Sequence, residues 1–110
     1  MNRQNFFETI GQEHTLVVPK KFIKLTGNLT TAILLSQIVF YSNKSERGDG
    51  YFHKSYKKWE EETCLTKYQV SHSTKKLKEM GLVETKVMKA NGAPTVYYKL
   101  DYERLEESIF

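Results

Sequence analysis

The chain has 110 residues, of which 39% are hydrophobic and 27% charged, with a formal net charge of +4. That length supports one domain with a modest core, and the composition is that of globular material rather than a disordered tail. No apolar run is long enough to span a membrane, since Thr30, Thr31, Ser36 and Gln37 interrupt the best candidate, Leu29 to Tyr41; one cysteine excludes an internal disulfide framework; and the polar N-terminus lacks a signal core, so a cytoplasmic protein is expected.

Met1 to Glu13 shows no periodicity, and residues 1–14 are expected to be a mobile segment, although Phe6, Phe7 and Ile10 would share one face of a helix. Thr15 to Val18 predicts a short strand pairing with a sheet edge. Pro19 to Leu25 suits a short helix that starts at a proline. Asn28 to Ser42 predicts the central core helix: Leu29, Ile33, Gln37 and Phe40 lie on one face and Ala32, Leu35, Ile38 and Val39 on an adjoining one. Asn43 to Gly50 reads as a polar loop, and Tyr51-Phe52-His53 as a small strand.

The most informative stretch is Trp59 to Leu82. Ser55 is a plausible N-cap for a helix reaching Glu62, and Thr63, Cys64 and Leu65 make a tight connection in which Cys64 is expected to pack. Thr66 can cap a second helix along which Val70, Thr74 and Leu77 recur on one side; Gly81, just past Met80, can take the left-handed conformation that closes it. Strand formers follow from Leu82 to Val87 and from Thr95 to Leu100, separated by a segment containing Asn91-Gly92, a turn signal for an antiparallel hairpin. Tyr97 and Tyr98 fall on opposite faces, so one of them is expected to be exposed. Asp101 to Phe110 predicts an amphipathic helix with Tyr102, Leu105 and Ile109 facing inward. The fold expected is α+β, a winged helix-turn-helix over residues 15–110 with a small three-stranded antiparallel sheet: helix-turn-helix 55–80, wing 82–100, C-terminal helix 101–110.

Charge is unevenly distributed. Gly50 to Leu100 holds ten lysines against five acids, whereas the stretch after Leu100 holds Arg104 against four acids. With Val70 set on the buried side of its helix and about 100° per residue, Tyr68, His72, Lys75 and Glu79 fall near the opposite pole, with Gln69, Ser71 and Lys76 on the flanks. In a winged fold that outward face meets the major groove, its N-terminal half nearest the bases. Base-edge contact is therefore expected from Tyr68, Gln69 and His72, and phosphate contact from Lys67, Ser71, Lys75 and Lys76; Lys54 and the capping Thr66 complete the helical set. At the wing tip Lys89 and Asn91, with Lys86, would track a groove or phosphate, although turn geometry alone also explains Asn-Gly, and a lysine-rich helix face can be merely solvated. His14, His53 and His72 have no partner cysteines at zinc spacing, so neither metal nor cofactor is expected. Glu60-Glu61-Glu62 reads as a solvated charge run, and no catalytic arrangement is visible: the expectation is a non-enzyme.

The runs Phe22 to Tyr41, Gly50 to Trp59, Leu65 to Val70 and Leu77 to Val83, in this order and spacing, resemble the N-terminal winged-helix domain of replication initiators and replisome organisers of phages, plasmids and other mobile elements of Firmicutes. The resemblance spans roughly Val17 to Leu100. It implies origin recognition on double-stranded DNA in a bacterial host, with the helicase or its loader as a protein partner. Such proteins carry a further C-terminal segment, so this chain is expected to be either an excised DNA-binding domain or a small protein with another task. Two classes stay open: a duplex binder acting at an origin or operator, including a small transcriptional regulator, and a winged module that binds or inhibits a replication factor. The C-terminal helix is expected to pack on the core beside Asn28 to Ser42; the alternative is that it pairs with its copy in a homodimer or with a replication partner.

Overall fold

The computed structural model describes residues 2–11 and 15–110, and of Phe7 the backbone alone. Expectations placed on Met1, Gln12, Glu13, His14 and the Phe7 side chain lie outside the described residues. The elements run α1 (Arg3–Ile10), α2 (Lys20–Thr26), α3 (Leu29–Lys44), β1 (Phe52–His53), α4 (Tyr56–Thr63), α5 (Lys67–Glu79), β2 (Val83–Ala90), β3 (Ala93–Leu100) and α6 (Tyr102–Ile109). The helix α1 stands in the segment expected to be mobile and includes Phe6 and Ile10, two of the residues expected to share a helical face, both exposed. Among the described residues no helix is long and apolar enough to cross a membrane.

Local chemistry sets most of the boundaries. Gly27, at φ 68°, ends α2, and the Asn28 side chain accepts the Thr31 N–H to start α3. Ala32, Leu34, Leu35 and Ile38 of α3 are fully buried against α2, α5 and β3. Of the two adjoining faces expected to be buried, the one with Ala32, Leu35 and Ile38 is buried and the other is not. Leu29 and Phe40 are exposed, because the neighbours wrap the arc through Thr31, Leu35 and Ile38 on the far side of the helix.

The Ser55 side chain caps α4, and Cys64, in the left-handed region at φ 62°, ends it. That conformation turns the thiol outward, so Cys64 is exposed rather than packed; Leu65 fills the core instead. Thr66 and Gln69 form a complete capping box at the start of α5. At its end Gly81, φ 75°, donates to the Lys78 carbonyl while Leu82 donates to that of Leu77, a Schellman closure that delivers Leu82 to the core.

The sheet is antiparallel in the order β1-β3-β2. Pairing of β2 with β3 continues to Ala90↔Ala93, leaving Asn91 and Gly92 at φ 53° and 80° as a two-residue turn, so the strands extend farther toward the tip than expected. Pro94 is tolerated opposite Lys89 because, next to a hydrogen-bonded pair flanking the turn, its nitrogen faces away from β2.

Thr15 to Val18 forms no strand. The β3 edge is already taken by β1, and the Val17 carbonyl accepts the Ser36 hydroxyl, which lays this segment along α3. Both adjacent tyrosines are buried, contrary to expectation. Tyr98 packs in the core against Phe52 and Trp59, and Tyr97, on the other face, is covered by the His53 ring and the Arg47 guanidinium, each 5.0 Å away. In α6 Leu105 is buried, but Tyr102 is exposed with its hydroxyl on Asn43, and the helix packs chiefly on α2 rather than on α3 as expected.

Candidate nucleic-acid interface

The two flanks of α5 have different neighbours, and this decides which side chains can meet a ligand. Val70, Ser73 and Leu77 are buried, with the Ser73 hydroxyl bonded to that of Thr31 at 3.2 Å, so the side toward Ser73 is the one fixed to α3. Thr74, expected among the buried positions, is only part-buried and belongs to the opposite flank, which faces the wing.

On that wing-facing flank Ser71, Lys75 and Lys78 line a groove whose other wall is Thr85, Val87 and Val96 of the hairpin, with Tyr56 at one end. All three are exposed. Lys67, one turn before Ser71, is exposed too, its ammonium 5.2 Å from the Tyr56 ring. Lys67, Ser71, Lys75 and Lys78 thus form a basic stripe along α5, at spacings of four, four and three residues. Lys78 and Tyr56 were not among the expected contacts. The spacing of Lys78 from Ser71 and Lys75 is visible in the sequence, but a wheel centred on Val70 does not say which flank the wing lies beside.

At the outer pole Tyr68 is 75% exposed and its ring lies nearly parallel to that of His72, at 12° and 5.8 Å between centroids. These two hold the outward position expected of them.

Four expected contacts are otherwise engaged. Lys76, on the core-facing flank, is part-buried, and its ammonium donates to the Thr26 carbonyl at the C-terminus of α2, which directs it away from the groove beside the wing. Lys54 is buried: its ammonium pairs with Glu62, 3.2 Å from the Tyr41 ring centroid and 5.0 Å from that of Trp59, and does not face the groove. Burial pulls the Glu62 carboxyl up, but hydrogen bonds from Lys54 and Tyr41 hold it below its usual value; burial and that same carboxylate push the Tyr41 hydroxyl up to about 12. Thr66 accepts the Gln69 N–H with its hydroxyl while its own N–H donates to the Gln69 side-chain oxygen at 2.9 Å, so both residues serve the helix start first.

On the hairpin, Lys89 and Asn91 are exposed at the tip. Lys86 is turned back toward the loop that follows α3, 3.8 Å from Asp49 and 4.0 Å from the centroid of the Tyr51 ring. Among the described residues no group of His, Cys, Asp and Glu is placed to hold a metal.

A helix pair with a tight left-handed turn, its second helix set beside a two-stranded wing, defines a winged helix-turn-helix domain. No protein-family model matches the chain, and a search of curated proteins finds no match. Solved structures that share the fold include a possible transcriptional regulator from Methanosarcina mazei Go1, 14% identical with a TM-score of 0.59 over 82% of this chain and 71% of that one. Another is the N-terminal domain of a DNA-binding protein, 20% identical with a TM-score of 0.56 over 97% of this chain and 89% of that one. At these identities the likeness is one of fold.

Proposed function

We propose that this domain binds double-stranded DNA, with α5 in the major groove and the wing beside it, as a binding module and not a catalyst. The observation that carries the reading is the stripe of Lys67, Ser71, Lys75 and Lys78, exposed along the flank that faces the wing; among the described residues none of its lysines is ion-paired, and Glu79 is the acid that shares the groove. Lys89 and Asn91 extend it to the wing tip. Cations in such a row match the phosphates of one strand, while the outer pole with Tyr68 and His72 meets base edges. Fold neighbours named as a DNA-binding domain and as a possible transcriptional regulator support the same reading.

Within this class, the resemblance to mobile-element replication initiators favours an origin as the target, and the regulator-like neighbour favours an operator. A host helicase or its loader is the protein partner the first of these implies, and a homodimer would set two recognition helices on adjacent half-sites.

Titration of a mixed-sequence duplex against the protein between about 50 and 200 mM salt tests the reading. Affinity should fall steeply with salt, with a logarithmic slope of about −0.9 for each phosphate neutralised. A folded protein without duplex affinity at low salt would refute it and favour the protein-binding alternative, for which acidic α6 is the natural surface.

A further inference from the structure

Tyr68 stands out among the exposed large apolar side chains. Phe40 and Phe110 lie beneath the ammonium groups of Lys44 and Lys21, and Tyr102 reaches Asn43 with its hydroxyl. Tyr68, by contrast, is 75% exposed, with the His72 ring nearly parallel beside it at 5.8 Å between centroids. It is open to the outside, on the first turn of α5, beside the lysine stripe. A pair at this four-residue spacing would by itself add only about 0.2–0.5 kcal/mol to an exposed helix, so helix stability gives little reason to leave so large a ring in water.

The parallel His72 ring biases the direction in which the Tyr68 ring points. A flat, oriented ring makes no hydrogen-bond readout with its face, so it distinguishes bases by apolar contact. In the major groove the thymine 5-methyl is the apolar group that bases present. We propose that Tyr68, held by His72, packs its exposed ring on a thymine methyl and makes thymine the preferred base at one position of the site. Tyr68 is the specificity-determining residue, and His72 is a positioning residue that acts through it. This inference rests on the duplex-binding reading above.

The test uses the full chain and a duplex enriched from a random library, prepared with thymine or with deoxyuridine at each thymine position in turn. At one position deoxyuridine should weaken binding about fourfold, the loss of one buried methyl-sized group at about 0.8 kcal/mol. In Tyr68→Ala, with helix content checked by circular dichroism, affinity for the thymine duplex should fall to that for the deoxyuridine duplex, so that the two bind equally. His72→Ala should lower the thymine to deoxyuridine ratio, and His72→Phe, which keeps a ring to stack on, should restore it. Equal affinity of the wild-type protein for the two duplexes at every position would overturn the proposal and leave duplex binding standing. So would an unchanged ratio in Tyr68→Ala, or tighter binding to the single strand than to the duplex. Absence of affinity for any duplex at low salt would overturn both readings together.

Discussion

Lys75 and Lys76 are adjacent in the chain and about 100° apart around α5, and that rotation separates two kinds of lysine. Lys75 is exposed in the groove beside the wing, whereas Lys76 donates to the last turn of α2. The same division holds between Lys78, which is exposed, and Lys54, which is buried with Glu62. A lysine's role in this domain follows from which neighbour its side chain meets, and net charge counts both kinds alike.

The division can be broken in graded steps. The largest effect belongs to the side that carries no charge: Leu77 is fully buried, so Leu77→Ala should cost about 2–5 kcal/mol of stability in urea or thermal unfolding. Next comes the open flank. Lys75→Ala combined with Lys78→Ala should weaken duplex binding by about 1–3 kcal/mol and flatten the salt slope by about two units, while stability changes by no more than about 0.5 kcal/mol. Unchanged affinity in that folded double variant would erase the distinction between the flanks.

The engaged lysines should behave in the opposite way. Lys54→Met leaves Glu62 without its ammonium, and because the Glu62 side chain is 36% exposed, a loss of about 1–2 kcal/mol is expected, below the range for fully buried pairs. Lys76→Ala removes one hydrogen bond to a helix C-terminus and should cost about 0.5–1.5 kcal/mol. Neither variant should alter the salt slope of duplex binding once the folded fraction is accounted for.

The smallest effect is a pH dependence. The Glu62 carboxyl titrates below its usual value in the folded protein because Lys54 and Tyr41 donate to it, against the upward pull of burial. The unfolded chain, with an ordinary value of about 4.3, therefore binds that proton more tightly. The stability this group contributes is present above the unfolded value and is lost as pH falls through the folded one. Acid unfolding of Glu62→Gln should be shallower in that window than that of the wild-type protein.

Much of the fold was legible because its signals are local. The Ser55 and Thr66 caps, the Gly81 closure and the Asn91-Gly92 turn each depend on residues within one or two turns of chain, and each formed where expected. What failed depended on partners distant in sequence. Periodicity showed that α3 is apolar around most of its girth but not which arc its neighbours would cover, so Leu29 and Phe40 were misplaced. The Thr15–Val18 segment has strand-like composition, yet the Ser36 hydroxyl and the occupied β3 edge decided its course. Tyr97 is hidden by His53 and Arg47, a cover that period-two alternation along β3 does not reveal. In the interface the outward pole was readable and the choice of flank was not, which is why Lys78 was passed over and Lys76 included.

The capping box at the start of α5 carries a consequence for how much information one side chain can convey. A glutamine facing a base pair can discriminate adenine by offering a donor and an acceptor together. The Gln69 oxygen already receives the Thr66 N–H, so one of its two lone pairs is committed and the side chain is turned back on the helix start, with its amide hydrogens the freest groups to offer. On a duplex this narrows what the side chain can ask: Gln69 is better placed to recognise an acceptor, on guanine or thymine for instance, than the donor beside it. The alphabet is shortened at that position by the same bond that begins the helix, and Gln69→Glu, which keeps the acceptor and removes the donor, should convert whatever preference exists there into its complement.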